Sequence, residues 1–385
     1  MNELYEYIER IEPLRSDATA AAKERLDALT KPPGSLGALE GIAARVAGMT
    51  GQMPVVPGAK AIVVMAGDHG VCEEGVSAFP QAVTKQMVLN FLNGGAAVNV
   101  FAKHAGADVV CVDMGVAADV DHPALVVRKA GYGTANMTQG PAMTEAQARQ
   151  AIAAGIELVR ELSERGVRLL AVGEMGIGNT TSAAALACAL LDLSPEEAVG
   201  RGTGVDDEGL SRKRDAVRRA LATNALAANA RRAAASDAIR SGSETVGPDA
   251  VRAFDALTKV GGFEIAGMTG VCLGAALCRI PLVIDGYIST AAALVATRLS
   301  PRVAPYLIAS HLSEEPGHAR LLEAIGLEPM LRLGMRLGEG TGAALCLRIV
   351  EAGVDVLGSM ATFASAGVAG KLAPLETAAA TESEG

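Results

Sequence analysis

Two carboxylates stand in glycine-rich settings. Glu339 lies in Leu-Gly-Glu-Gly-Thr-Gly at 337–342, a single acid among three glycines in an apolar neighbourhood. Desolvation there raises a carboxyl pKa toward a value useful to a general base. The segment also reads as a plain helix N-terminus, where the dipole favours Glu. Glu174 lies in Gly-Glu-Met-Gly-Ile-Gly-Asn-Thr-Thr-Ser-Ala-Ala at 173–184. Here Gly176 and Gly178 allow a sharp turn and leave room for a ligand against the backbone. A helix start after them offers free N–H groups and a positive dipole end, which suits a phosphate. The segment lacks the Lys-Ser/Thr end of a P-loop and the spacing of the dinucleotide fingerprint. Taken alone, it reads equally well as a plain glycine turn between a strand and a helix.

The elements that must position these residues are legible around them. The apolar run 169–172 predicts a strand buried on both faces, and the Ala/Leu-rich run 182–191 predicts a helix. Asn179, Thr180 and Thr181 sit where an N-cap belongs. Buried strands are also predicted at 61–65, 108–113, 281–285 and 306–310. Three of them run into polar residues at Asp68-His69, Asp285-Gly286 and Ser310-His311. A second glycine turn, Gly-Arg-Gly-Thr-Gly at 200–204, precedes Asp206-Asp207 and a helix carrying Lys213. Thr144 caps a helix to about 165, with Gln147 in capping-box position. Ser16 or Asp17 caps a helix through Leu29, and 121–138 reads as a glycine-rich loop. Lys-Pro-Pro-Gly-Ser-Leu-Gly at 31–37 is a rigid loop. It reads either as a helix connector or as a loop reaching into an active site, a partner subunit's included. The glycines of 261–270 suit a helix lying close to the sheet. Residues 214–240 are rich in Arg and Ala and alternate in charge, like a solvated helix. The tail from Pro374 is small and polar.

Strands ending in ligand-type residues and alternating with helices predict a parallel α/β sheet with one site along its carboxyl edge. By pattern alone the ligand is a phosphate-bearing small molecule. Composition agrees. Half of the 385 residues are hydrophobic, only 3% are aromatic and Trp is absent, so the core is aliphatic and packed with the help of 44 Gly. The net charge is −9, with 34 Lys plus Arg against 43 Asp plus Glu. An acidic chain with few aromatics argues against a nucleic-acid partner. Cys72, Cys111, Cys188, Cys272, Cys278 and Cys346 show no Cys-x-x-Cys spacing, which predicts reduced thiols in a cytoplasmic protein. The five His are scattered, so no metal site is expected. Neither a signal peptide nor a membrane span is expected.

Together, the segments 31–37, 66–70, 173–181, 259–270, 285–286, 310–311 and 336–342 resemble those of the nicotinate-nucleotide:dimethylbenzimidazole phosphoribosyltransferase family, in family order over nearly the whole chain. The resemblance implies a three-layer α/β/α Rossmann-like fold and a homodimer. It implies a large domain over 51–315 and a smaller helical part from 1–50 and 316–372, with 373–385 a tail. It implies Glu339 as general base and Glu174 as a second active-site carboxylate. Gly176, Gly202, Lys213 and Gly286 match the region that holds the nucleotide phosphate, and Asp285 and Ser310 complete the expected phosphate and ribose set. Phe79, Gln86, Met87, Met175 and Leu337 match the wall of the aromatic-base pocket. Some members carry a small polar residue or Tyr where this chain has Phe79, and 214–245 is longer here than in some relatives.

The implied partners are nicotinate mononucleotide and a benzimidazole-type base, with no cofactor. In the nucleotide the pyridinium ring is a cationic N-glycoside and leaves without metal help. A benzimidazole nitrogen attacks C1′ from the opposite face, and one carboxylate takes the proton that becomes acidic on the other ring nitrogen. Two alternatives are a phosphoribosyltransferase for another acceptor, such as a purine or a phenol, and a non-catalytic nucleotide-binding module. The module has less reason to carry two acids in glycine loops.

Overall fold

The structure is a computed structural model that describes residues 2–56, 58–226 and 247–369. The tail from Pro374 and the Arg/Ala-rich stretch beyond residue 226 lie outside the described residues. Six strands form one parallel sheet: β1 (Ala59–Gly67), β2 (Asp108–Gly115), β3 (Val126–Val127), β4 (Val167–Met175), β5 (Leu282–Ile284) and β6 (Leu307–Ala309). Their order is β3-β2-β1-β4-β5-β6. It reverses direction between β1 and β4, and open α/β sheets open a crevice at such a point, beyond the strands' carboxyl ends.

The central strands are apolar on both faces because both faces are covered. Ile62 and Met65 of β1 point to opposite sides of the sheet. Met65 meets the helix Phe263–Leu277, where a Cβ on Gly267 would lie 2.5 Å from its sulfur. Ile62 meets the N-terminus of the helix Thr341–Ser359 at Gly340. The three layers expected from sequence are therefore present.

The glycines of 261–270 do more than approach the sheet. A Cβ on Gly270 would come 2.0 Å from the Ile152 carbonyl oxygen, and one on Gly155 would come 2.1 Å from that of Gly267. The helices Glu145–Glu164 and Phe263–Leu277 thus touch backbone to backbone. The capping box of Thr144 and Gln147 starts the first of these as expected.

Three local expectations change. Residues 121–138 contain a strand, since Val126 and Val127 pair in parallel with Val112 and Asp113. Two residues are too few to show a period. The helix Asn179–Leu191 has Gly178 as its N-cap, at φ 96°, and no side-chain cap. Asn179 instead turns its amide toward Glu174. The helix Ser16–Ala28 starts after Arg15, also without a side-chain cap.

The chain ends meet each other. Ala22, Leu26, Leu29, Ala43, Ala44, Ala47 and Leu357 form a second, smaller core. Leu29 also pairs with Thr362 in an antiparallel bridge. The first helices are too few to form this core by themselves, and it is completed by the helices Ala38–Thr50 and Thr341–Ser359 of the same chain. In the 31–37 loop Lys31 is buried and its ammonium lies 2.8 Å from the Glu40 carboxylate. Within this chain its charge is paired inside the helical part.

Two glycine variants separate packing from propensity. Gly270→Ala should cost about 1–3 kcal/mol in denaturant unfolding, because its methyl group meets backbone. Gly41→Ala, exposed inside the helix Ala38–Thr50 with open space at the Cβ position, should add about 0.5–1 kcal/mol.

Candidate active site

Glu174 is the penultimate residue of β4, at the switch point. Glu339 reaches the same place from far along the chain. A Cβ on Gly173 would lie 2.1 Å from the Gly340 nitrogen, so the 339–340 backbone lies directly on β4. A Cβ on Gly338 would lie 2.5 Å from Glu174 Oε1. The glycines on either side of Glu339 therefore let the two acids become neighbours. Residues 338, 339 and 340 all have positive φ, at 82°, 63° and 84°. For Glu339 this left-handed conformation is a strain that only its fixed surroundings maintain.

Both acids are buried, and both hold their protons more tightly than an ordinary carboxylic acid. Burial pushes Glu174 up to about 8, with the charges of Glu264, Asp285 and Glu339 adding to the effect. The Asn179 amide, which donates to Glu174 Oε2, works in the opposite direction. Burial pushes Glu339 up to about 7, helped by Asp285.

Asp285 follows β5 and is almost wholly buried. Its two oxygens accept the backbone N–H groups of Gly340 at 3.1 Å and Ala343 at 2.9 Å. It thereby caps the helix Thr341–Ser359 and fixes the Glu339 turn. The carboxylate expected in the phosphate and ribose set is thus bonded to backbone in this chain. Ser310 is likewise turned inward, donating to the Asp285 carbonyl at 3.2 Å and lying 3.0 Å from His311 Nδ1.

The remaining phosphate-site candidates fall into three places. Lys213 is buried, and its ammonium donates to Thr180 Oγ1 at 3.0 Å. A Cβ on Gly202 would lie 2.8 Å from that ammonium. The second glycine turn and the start of the helix Asn179–Leu191 are thus one cradle. The Gly202 N–H, expected to face a phosphate, instead donates to Glu315 Oε1 at 2.9 Å. Gly176 is required by the sheet itself, since a Cβ there would lie 2.3 Å from the Gly67 carbonyl oxygen. Gly286 starts the helix Tyr287–Leu299 facing His311 and Ser313.

The base-pocket candidates gather only in part. An open hollow of about 440 Å³ lies beyond β1, lined by Phe79 with His69, Cys72, Ser77 and Gln81 among others. Phe79 is half exposed there. Gln86, Met87, Met175 and Leu337 do not line this hollow. Met175 and Leu337 are tied to the acids by the chain, the first following Glu174 and the second preceding Gly338. Met87 is half-buried and Gln86 exposed on the helix Ala82–Leu92, whose Thr84 accepts the Ile177 N–H at 3.1 Å.

Sequence reasoning passed over a buried chain beneath the switch point. His69 Nε2 lies 2.6 Å from Glu264 Oε1, and His69 Nδ1 lies 3.0 Å from Ser182 Oγ. All three residues are buried, and Glu264 Oε2 has no partner within the protein. The imidazole thus bridges the carboxylate and the hydroxyl through its two ring nitrogens. One signal was available: Glu264 is the single charge in an otherwise apolar, glycine-rich helix. Among the described residues no group of His, Cys, Asp and Glu could hold a metal ion.

A family model described as phosphoribosyltransferase matches residues 11–368. The nicotinate-nucleotide–dimethylbenzimidazole phosphoribosyltransferase of Roseiflexus sp. strain RS-1 is 49% identical over 373 residues, 97% of this chain and 99% of the relative. The enzyme of the same name from Chloroflexus aggregans is 50% identical over 372 residues, 96% of this chain and 99% of its own. The crystal structure of the corresponding Thermus thermophilus protein superposes with a TM-score of 0.81 at 46% identity, covering 93% of this chain and all of the other. Nearly the whole chain, with the sheet edge that carries both acids, lies inside these matches, and the chain belongs to this phosphoribosyltransferase family.

Proposed function

We propose that the chain transfers the phosphoribosyl group of nicotinate mononucleotide to 5,6-dimethylbenzimidazole, giving α-ribazole 5′-phosphate and nicotinate. This is the reaction that supplies the lower ligand of cobalamin. The supporting observation is the pair of neighbouring buried acids, Glu339 raised to about 7 and Glu174 to about 8. Two neighbouring acids in different surroundings can divide into a base and a proton-bearing group.

The unprotonated benzimidazole nitrogen attacks C1′ of the nucleotide. The bond from C1′ to the pyridinium nitrogen breaks, and its electron pair neutralises that ring. Attack from the opposite face turns the β-glycoside into an α-glycoside. Positive charge spreads to the second benzimidazole nitrogen, and the Glu339 carboxylate takes its proton. A base with a pKa near 7 is well matched to that task at neutral pH. Glu174, pushed higher to about 8, is assigned the role of hydrogen-bond donor beside the reacting groups. Lys213 supplies a cation for the 5′-phosphate, and the hollow beside Phe79 takes an aromatic ring. Binding both substrates in line contributes to rate independently of the proton transfer.

The same reading makes the protein a cytoplasmic homodimer. Six cysteines free of disulfides accord with a reducing compartment. No helix among the described residues is long and apolar enough to cross a membrane.

Incubation with nicotinate mononucleotide and 5,6-dimethylbenzimidazole should release nicotinate and α-ribazole 5′-phosphate in equal amounts. Binding of both compounds without turnover would leave only a nucleotide-binding module. Glu339→Gln should lower kcat by about two to four orders of magnitude while the KM for the nucleotide changes little. Near-normal turnover in this variant, with Glu174→Gln inactive, would move the base to Glu174. The pH profile of kcat carries the sign of each role. A base must be unprotonated, so kcat should fall as pH drops below about 7. A donor must be protonated, so kcat should fall again as pH rises above about 8. Glu174→Gln keeps a neutral donor and should abolish the alkaline fall alone.

A further inference from the structure

Lys213 and the Gly202 turn share a third element, the segment before the helix His318–Ile325. Glu315 projects from it and is 8% exposed. Its Oε1 accepts the Gly202 N–H at 2.9 Å, and its Oε2 has no hydrogen-bond partner in the protein. That second oxygen is pressed against Gly200, where a Cβ would come within 2.2 Å. A buried carboxylate with one empty oxygen is costly by itself. Across the same Gly202 turn stands an ammonium buried more deeply still, with a single hydrogen bond, to Thr180.

We propose that Glu315 is a positioning residue for the 5′-phosphate: it pins the Gly202 turn by its N–H and supplies the negative charge beside which Lys213 remains a cation. The proposal rests on the reading that Lys213 meets the nucleotide phosphate. The phosphate then binds through the lysine and not through the Gly202 N–H, which Glu315 already occupies.

The neighbouring groups leave this part to Glu315. Arg201 is engaged by Asp207 at 2.5 Å and by the Val205 carbonyl at 3.0 Å. Arg336 reaches the Gly202 carbonyl oxygen at 3.4 Å and adds positive charge. Tyr287 is buried, donates to the Ala198 carbonyl at 2.8 Å, and burial holds its hydroxyl neutral. Burial drives His318 down to about 3, and its ring is held by Thr290 and the Ser313 N–H, so it is neutral. Burial likewise lowers Lys213 to about 8, and Glu315 is the charge that opposes this fall. Without the Glu315 charge Lys213 would lose its proton at a lower pH, and with it the attraction for phosphate.

The test is the KM for nicotinate mononucleotide measured from pH 6 to 9 in the full-length enzyme. In the unaltered protein KM should rise as pH passes about 8. In Glu315→Gln, which keeps an oxygen for the Gly202 N–H, the rise should begin about one pH unit or more lower. Lys213→Arg, always charged, should show no rise in this range. A uniform increase of KM in Glu315→Gln, with the rise at its original pH, would make Glu315 a structural prop and overturn the proposal. So would a rise that persists in Lys213→Arg, an outcome that does not depend on the Glu315 variant folding. Lys213→Ala separates this failure from that of the underlying reading. A raised KM in that variant keeps the phosphate at Lys213 even if Glu315 fails, whereas an unchanged KM removes the phosphate from the cradle and the proposal with it.

Discussion

The site depends on one carboxylate, that of Asp285. It stands at the end of β5 and accepts the N–H groups that open the helix Thr341–Ser359. Charge-assisted bonds of this kind are about twice as strong as neutral ones. Without the carboxylate, two buried N–H groups would lack their partner, at a cost of about 1–3 kcal/mol each. Burial raises both Glu174 and Glu339, and the same charge adds to the effect on each. Asp285 therefore joins geometry to electrostatics. It holds the turn that presents Glu339, the base proposed here, and it adds to the effect of burial on that carboxyl.

Glycine makes the arrangement possible. The 338–340 turn crosses β4 at backbone contact distance, which any side chain at Gly173 would block. Three consecutive positive φ values at 338–340 would be prohibitive in most sequences, and here a single non-glycine residue carries the strain. The same small-residue logic operates deeper in the protein. Gly155, Gly267 and Gly270 bring two helices and the sheet together so closely that an aliphatic core with few aromatics suffices. Aliphatic walls then supply the desolvation that the acids and Lys213 experience.

The buried polar groups form separate islands along one sheet edge. Ser182, His69 and Glu264 lie under the β1–β4 switch point. Asp285, Ser310 and His311 lie under β5 and β6. Thr180, Lys213, Gly202 and Glu315 form the outer cradle. Each island ties a loop to a strand end or a helix start. Loops that carry chemistry are thereby positioned by the rigid sheet and its helices.

The sequence by itself determined the layers of this protein and singled out the sheet edge proposed here as its site. Runs such as Ala61 to Met65 and Leu169 to Val172 are apolar without alternation, which only a strand covered on both faces explains. The glycine-flanked acids at 174 and 339 were visible because a charge in such a setting is rare enough to stand out. The tertiary structure decided the division of labour. Asp285 and Ser310 looked like ligand groups because they end strands, yet both are turned toward neighbouring backbone. Asn179 looked like a cap and instead serves Glu174. Glu315 and Lys213 are 102 positions apart, and no spacing rule joins them. Local pattern reports which residues share a strand or helix face, because backbone period is a local property. Hydrogen bonds between a strand end and a distant helix start follow from how the layers close, and that only the fold determines.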